Sequence, residues 1–372
     1  MKRLIFFFIF IVSASICAAG EEKKPLTIEW VVSDECRELT SLPHFNWLDD
    51  GSILLYDTTE DGNTVTIRRF NPADGKMTDA VDRDKALESL KKILKPANMP
   101  KKLSWPLSFN NSGSLAVYDI ADDLFVLDLS KSEFVRATQT DSEEKAVRFS
   151  PDGKKISFVR DNDLYIYNIE NNSETRITTD GSKTLLNGTL SYVYWEEIFG
   201  RKDTAYWWSP DSNYIAYLKS DDSPVDLESF INFKSFEPAV ITQRYPRAGR
   251  QNPIVLLYVA DVNGNYLSKF DSSDYPYEYI GRVKWLEDNK TLAVQTLNRE
   301  QTRHDMYFVD AKTGDAKLIL TDYDKGWIEL TDDLFFLPRD KGFIWRSQRD
   351  GFSHFYLYSM DGRLVRQITK GD

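Results

Sequence analysis

Apolar and polar positions alternate in short runs along most of this chain, the period of two that belongs to half-buried strands. Ile156-Ser157-Phe158-Val159 and Leu164-Tyr165-Ile166-Tyr167 are two such runs, joined by the acidic turn Asp161-Asn162-Asp163 and preceded by Phe149-Ser150-Pro151-Asp152-Gly153. The same order of aromatic, turn, strand, acidic turn and strand recurs. One copy starts at Phe109 and runs through Leu115-Ala116-Val117-Tyr118 and Leu124-Phe125-Val126-Leu127. Another opens with Trp208-Ser209-Pro210-Asp211-Ser212 and continues to Ile215-Ala216-Tyr217-Leu218. Further copies start near Trp47 and Trp285, and a last one holds Phe343-Ile344-Trp345-Arg346 and Phe355-Tyr356-Leu357-Tyr358.

Successive starts lie 62, 40, 59 and 77 residues apart. A four-stranded propeller blade takes about 40–50 residues, so the longer gaps predict insertions between strands. The recurring aromatic-Ser-Pro-Asp opening favours a ring of equivalent sheets over a sandwich of unlike strands. The pattern therefore predicts an all-β chain, a β-propeller with six recognisable blade repeats. One segment breaks the period. Leu87, Leu90 and Leu94 recur at helical spacing over 84–95, ahead of Pro96, and predict a helical insertion. In the last repeat, Phe343, Trp345, Phe355 and Tyr358 are expected to form an uncovered apolar face.

Composition sharpens this picture. The chain has 372 residues, with 41% hydrophobic and 13% aromatic, which suits a large β core and argues against disorder. Its net charge of −11 is spread out, and no basic block is interleaved with aromatics, so nucleic acid is not an expected partner. Lys2-Arg3, the apolar run Leu4 to Val12 and the small residues Cys17-Ala18-Ala19-Gly20 read as a signal peptide over 1–19, predicting export to the periplasm or cell exterior. Lipidation at Cys17 is disfavoured, because Ile16 stands where a small residue is needed. Cys36 is then left without a cysteine partner, so no disulfide is expected. With three scattered histidines, His44, His304 and His354, no metal site is expected, and no glycine-rich phosphate loop points to a cofactor.

Chemistry concentrates in one stretch, from Leu186-Asn187-Gly188 through Tyr192-Val193-Tyr194-Trp195-Glu196-Glu197-Ile198-Phe199-Gly200-Arg201 to Tyr206-Trp207-Trp208-Ser209-Pro210. On a strand, adjacent glutamates point to opposite faces. On a short helical turn they can converge. Two carboxylates in a partly dry aromatic setting repel, and a ligand ammonium relieves that repulsion through charge-assisted hydrogen bonds.

This stretch resembles the dipeptidyl peptidase IV family, whose pattern reads roughly N-G-x-x-D-W-V-Y-x-E-E-x-(F/Y), followed by W-W-S-P. Ser191-Tyr192 stands where Asp-Trp is usual. Four further blocks resemble the family in order: Asp221-Asp222-Ser223-Pro224-Val225, Tyr245-Pro246-Arg247-Ala248-Gly249-Arg250-Gln251-Asn252-Pro253, Ser347-Gln348-Arg349-Asp350-Gly351-Phe352-Ser353-His354 and Ile368-Thr369-Lys370-Gly371.

The resemblance implies an N-terminal propeller, spanning 20–372, of an eight-bladed ring. It implies that Glu196 and Glu197 bind the free N-terminus of oligopeptide substrates, with Xaa-Pro or Xaa-Ala dipeptides released. It implies an Arg from an earlier blade beside the pair, although neither Arg136 nor Gln139 matches its pattern. Family members carry their Ser-Asp-His triad on an α/β-hydrolase domain at a G-x-S-x-G elbow. This chain has no such motif. Gly351-Phe352-Ser353-His354-Phe355 fails at its last position, so catalytic residues are expected outside these 372 residues and the chain alone is expected to be inactive. The resemblance also admits a homodimer of the full-length form. A prolyl tripeptidyl peptidase is the nearest alternative within the family. A non-catalytic exported propeller that binds peptides or envelope partners is the alternative outside it.

Overall fold

The computed structural model describes residues 27–33, 36, 43–58, 65–192, 194–234, 236–270 and 276–372. The expected signal peptide and Cys17 lie outside them. The chain divides into two units, Met1–His44 and Phe45–Asp372. In the first, Thr27 caps the single helical turn Ile28–Val31, and Cys36 is buried.

The second unit is built from antiparallel sheets whose strands follow chain order. The first blade comprises Phe45–Trp47, Ile53–Thr58, Val65–Asn71 and Lys76–Asp79. The second comprises Ser108–Phe109, Leu115–Ile120, Asp123–Asp128 and Glu133–Arg136. The third comprises Lys145–Phe149, Lys155–Arg160, Asp163–Asn168 and Ser173–Arg176. In the fourth, Leu185–Asn187 and Tyr206–Trp208 both pair with Tyr214–Asp221, and Ile254–Asp261 and Tyr266–Lys269 follow. The fifth comprises Tyr279–Trp285, Thr291–Leu297, Arg303–Asp310 and Ala316–Tyr323. The sixth comprises Leu334–Phe336, Phe343–Ser347, His354–Tyr358 and Leu364–Gln367. This is the β-propeller architecture that the repeats predict.

Of the aromatics that mark repeat starts, Trp47, Phe109, Phe149 and Trp285 each end the first strand of their blade, and Trp208 ends the second of the two short strands that pair with Tyr214–Asp221. Behind Phe149 and Trp208 a Ser-Pro-Asp motif closes the turn. Ser209 Oγ donates to Asp211 Oδ1 at 2.6 Å and accepts the Tyr214 N–H at 2.9 Å, and Ser150 repeats the arrangement with Asp152 and Lys155. Turns of successive blades are bonded to one another. The Asp49 N–H donates to Asn111 O, Asn111 Nδ2 to Pro151 O, the Asp152 N–H to Ser212 Oγ and the Asp211 N–H to Asn289 Oδ1. The repeated motif thus ties blades into an arc.

The long gaps hold the predicted insertions. A helix, Arg83–Lys91, lies between blades one and two, and a two-stranded hairpin, Leu227–Asn232 with Ala239–Arg244, grows out of blade four. The helix is capped by Asp82, which accepts the Lys85 N–H at 3.0 Å, and it buries Ala86 and Leu90. It ends four residues before the predicted Lys95. Its last turn tightens, with the Lys92 and Ile93 N–H groups bonding three residues back, and Lys95, ahead of Pro96, is extended.

Blade six corrects the expected apolar face. Phe343, Trp345 and Tyr358 are buried, packed with Met306, Ile319 and Leu320 of blade five. The pairing register puts Phe335 opposite Ile344 and Ile344 opposite Leu357, so these residues face the other way, together with Phe355. The two strands of the blade therefore split the four aromatics between two faces, because alternation assigns faces by parity within each strand.

His304 lies in the same interface, 4.8 Å from Trp345 ring to ring, with Nε2 3.1 Å from Gln295 Oε1. Burial pushes its pKa down to about 4. The unfolded chain binds a proton near pH 6.5, so stability from the neutral folded His304 is full above that pH and is lost as pH falls toward 4. Two and a half pH units correspond to about 3 kcal/mol. Burial pushes Asp222 up to about 6, which gives the opposite slope, a contribution lost as pH rises through 6. Thermal melts between pH 4 and 7 should therefore show a shallower acid loss for His304→Gln than for the parent, and a steeper one for Asp222→Asn.

Candidate substrate-anchoring site

The site segment leaves blade four at Asn187. This side chain is wholly buried, and its Nδ2 donates to Asp163 Oδ1 at 3.1 Å and to Asp180 Oδ1 at 3.0 Å. Asp163 gathers further donors: Thr178 Oγ1 at 2.6 Å, the Gly181 N–H at 3.0 Å and Arg176 Nη2 at 2.5 Å. Gly188 follows at φ +77°, where a Cβ would come 3.1 Å from Val159 and 3.3 Å from Tyr206. Both the dihedral and the space call for glycine.

The chain then winds into one π-helical turn, Tyr194–Ile198, with the Phe199 N–H bonded to Tyr194 O at 3.2 Å. Such wide turns are rare, occur mostly as single turns, and are frequent at functional sites. Tyr194 and Ile198 point into the core shared by blades four and five, Trp195 and Glu196 are half-buried, and Glu197 is exposed. The turn leaves both adjacent carboxylates with solvent access. The structure adds a partner that the sequence reading did not assign. Arg201 Nε and Nη2 lie 2.9 and 2.8 Å from Glu196 Oε1. Glu197 makes no hydrogen bond or ion pair among the described residues. The pair thus has unlike members, one carboxylate braced by a guanidinium and one open to a cation, with a net charge of −1 across the three groups.

Aromatic side chains flank the turn. Tyr192 meets Trp195 edge-on at 5.6 Å and lies 6.5 Å from Tyr245, which Phe230 of the hairpin also contacts. Asn252 Nδ2 donates to Tyr279 OH at 2.9 Å, and Tyr279 lies 6.1 Å from Tyr194. Tyr245 and Asn252 belong to one sequence block, so that block converges on the glutamate turn from two sides. The Asp221–Val225 block lies at the base of the hairpin, where Arg244 donates to the Ser223 and Val225 carbonyls.

Of the other sequence candidates, Arg136, Ser353 and His354 have structural partners. Arg136 is bonded to Asp123 and to Thr138 O, while Gln139 is exposed. Ser353 sits in an exposed turn and accepts from Arg346, and the ring nitrogens of the neighbouring His354 are within 3.2 Å of Thr369 Oγ1 and 2.9 Å of Gly371 O. The Ile368–Gly371 block closes blade six: the Ile368 N–H donates to Phe355 O, and the Phe355 N–H to Thr369 Oγ1.

Residues 106–372 match the family model for the dipeptidyl peptidase IV N-terminal region. Dipeptidyl peptidase 4 of Trichophyton tonsurans is 30% identical over 262 residues, covering 67% of this chain and 33% of that protein. The Trichophyton equinum protein of the same name is 29% identical over the same length. The crystal structure of Porphyromonas gingivalis dipeptidyl peptidase 4 superposes with a TM-score of 0.78 at 26% identity, covering 94% of this chain and 50% of that one. The chain belongs to the dipeptidyl peptidase IV family and corresponds to its N-terminal region. It spans about a third of the length of the Trichophyton relatives.

Proposed function

We propose that this propeller selects substrates for an exported serine exopeptidase by holding the free N-terminus of a peptide at Glu196 and Glu197. The observation that carries the reading is the π-helical turn, which leaves both glutamates with solvent access in a segment that resembles the family pattern. Glu197 and the second oxygen of Glu196 would accept hydrogen bonds from the ammonium. Each such charge-assisted bond contributes about 1.5–3 kcal/mol. Anchoring the amine fixes how many residues reach the scissile bond, which turns a hydrolase into a dipeptidyl peptidase. Proline or alanine at the second position is the preference that family membership suggests. The nucleophile would come from an α/β-hydrolase domain in the full-length form. Export rests on the Lys2-Arg3 and Leu4 to Val12 pattern.

The test has two arms. A form that carries the hydrolase domain should cleave Ala-Pro-nitroanilide at least about 100-fold faster than the analogue lacking the α-amino group, as expected when a bound charge partner is left unpaired. Residues 20–372 alone should neither cleave it nor react with a fluorophosphonate. Equal turnover of the two substrates would remove the anchoring role, and stoichiometric labelling of the short chain would direct attention to Ser353.

A further inference from the structure

The first strand of blade five carries a bulge between Ile280 and Arg282, where its register with the next strand shifts by one. Both ends of the glutamate turn are fastened to that bulge. At the leading end, the buried Tyr194 hydroxyl donates to Ile280 O at 2.8 Å and accepts the Ile280 N–H at 2.7 Å, so a single phenol uses both backbone groups of one residue. At the trailing end, Arg282 Nη1 donates to Ile198 O at 2.8 Å and to Gly281 O at 2.6 Å. The guanidinium packs 5.7 Å from the Phe199 ring. Its Nε donates to Asp332, which also pairs with Lys202 at 3.3 Å. Burial works against the Asp332 charge, but the hydrogen bond and charge of Arg282 prevail and hold this carboxyl below its ordinary range. Gly281 completes the device, because a Cβ there would meet Leu330 at 2.6 Å.

We infer that Arg282, locked by Asp332, is a positioning residue: it sets the pitch of the π-helical turn and thereby the aim of Glu196 and Glu197 at the substrate amine. The inference rests on the anchoring role proposed above. A π-helical turn leaves carbonyls short of intrahelical partners at its C-terminal end. Ile198 O is one of these, and Arg282 supplies a donor whose position is fixed from blade five and from the chain entering blade six. Glu196 and Glu197 lie two residues and one residue before that carbonyl, so a shift of the turn moves both carboxylates together. A displacement of about 1 Å at a positioning group can cost about 100-fold in turnover.

The experiment uses the form with the hydrolase domain and compares cleavage of Ala-Pro-nitroanilide with that of its des-amino analogue. In Arg282→Met, the preference for the free amine should fall by about 10- to 100-fold, with fluorophosphonate labelling and the melting temperature close to those of the parent. Arg282→Lys, which can still reach one carbonyl, should restore part of the preference, and Asp332→Asn should lose part of it. General destabilisation would lower turnover of both substrates and leave their ratio intact, and that result would overturn the inference. So would an unchanged ratio in Arg282→Met when Glu197→Gln loses it, an outcome that leaves the anchoring role standing. If Glu197→Gln keeps the parent ratio, the anchoring role and this inference fall together.

Discussion

In a form that carries the hydrolase domain, Glu196→Ala and Glu197→Ala should each lower kcat/KM for a dipeptidyl substrate by about 30- to 1000-fold while the catalytic serine still labels normally. The two should not be equivalent. Glu197 has no partner among the described residues, so its loss removes one acceptor from the ammonium. Glu196 balances Arg201, whose side chain is 77% exposed. Removing Glu196 leaves that guanidinium facing the incoming ammonium, an unfavourable like-charge contact in addition to the lost hydrogen bond. Glu196→Ala is therefore expected to be the more damaging change, and Arg201→Ala in the same chain should recover part of the loss. Steady-state kinetics of the parent, Glu196→Ala, Arg201→Ala and the double variant as a double-mutant cycle would measure this coupling. Unchanged kinetics in both single variants would reduce the pair to surface charges.

The largest effect on stability is expected at Asp163. Its side chain is wholly buried and accepts from Arg176, Thr178, Gly181 and Asn187, joining the close of blade three to the start of the site segment. Asp163→Ala leaves those donors without their acceptor and a buried network broken. Such losses cost about 3–5 kcal/mol. Denaturant unfolding should show this as a lower midpoint with an unchanged slope. Asp123 has the equivalent place in blade two, where it accepts from Arg136 and from the Thr140 N–H. Asp123→Ala should destabilise by less, since it gathers fewer donors and its blade does not lead into the site. Equal midpoints for the parent and Asp163→Ala would show that the network contributes little.

The residues that close turns and mark strands could be read directly from the sequence, because their physics is local. Trp47, Phe109, Phe149, Trp208 and Trp285 each end a strand that opens a turn, and behind Phe149 and Trp208 the Ser and Asp complete that turn within five residues. Glu196 and Glu197 were readable as a pair, since only a helical turn lets adjacent side chains share a side and the surrounding motif marked the place. What the sequence did not reveal depends on contacts between distant positions. Arg282 meets Ile198 across 84 residues, and nothing around it in the sequence marks it. Arg201 lies at the end of the aromatic glutamate motif, but its pairing with Glu196 depends on how the chain turns through Gly200, which adopts φ +59°. Within blade six, alternation shows that faces differ, but only packing against blade five decides which face is buried, and so Phe355 parts from Phe343, Trp345 and Tyr358.

The most direct test of the central claim is a crystal structure of the hydrolase-bearing form with a non-cleavable Xaa-Pro ligand. The account predicts the ligand ammonium within about 3 Å of carboxylate oxygens from both Glu196 and Glu197, with the Tyr194–Ile198 turn still bonded to Ile280 and Arg282. An ammonium bound elsewhere, with both glutamates left in solvent, would contradict it.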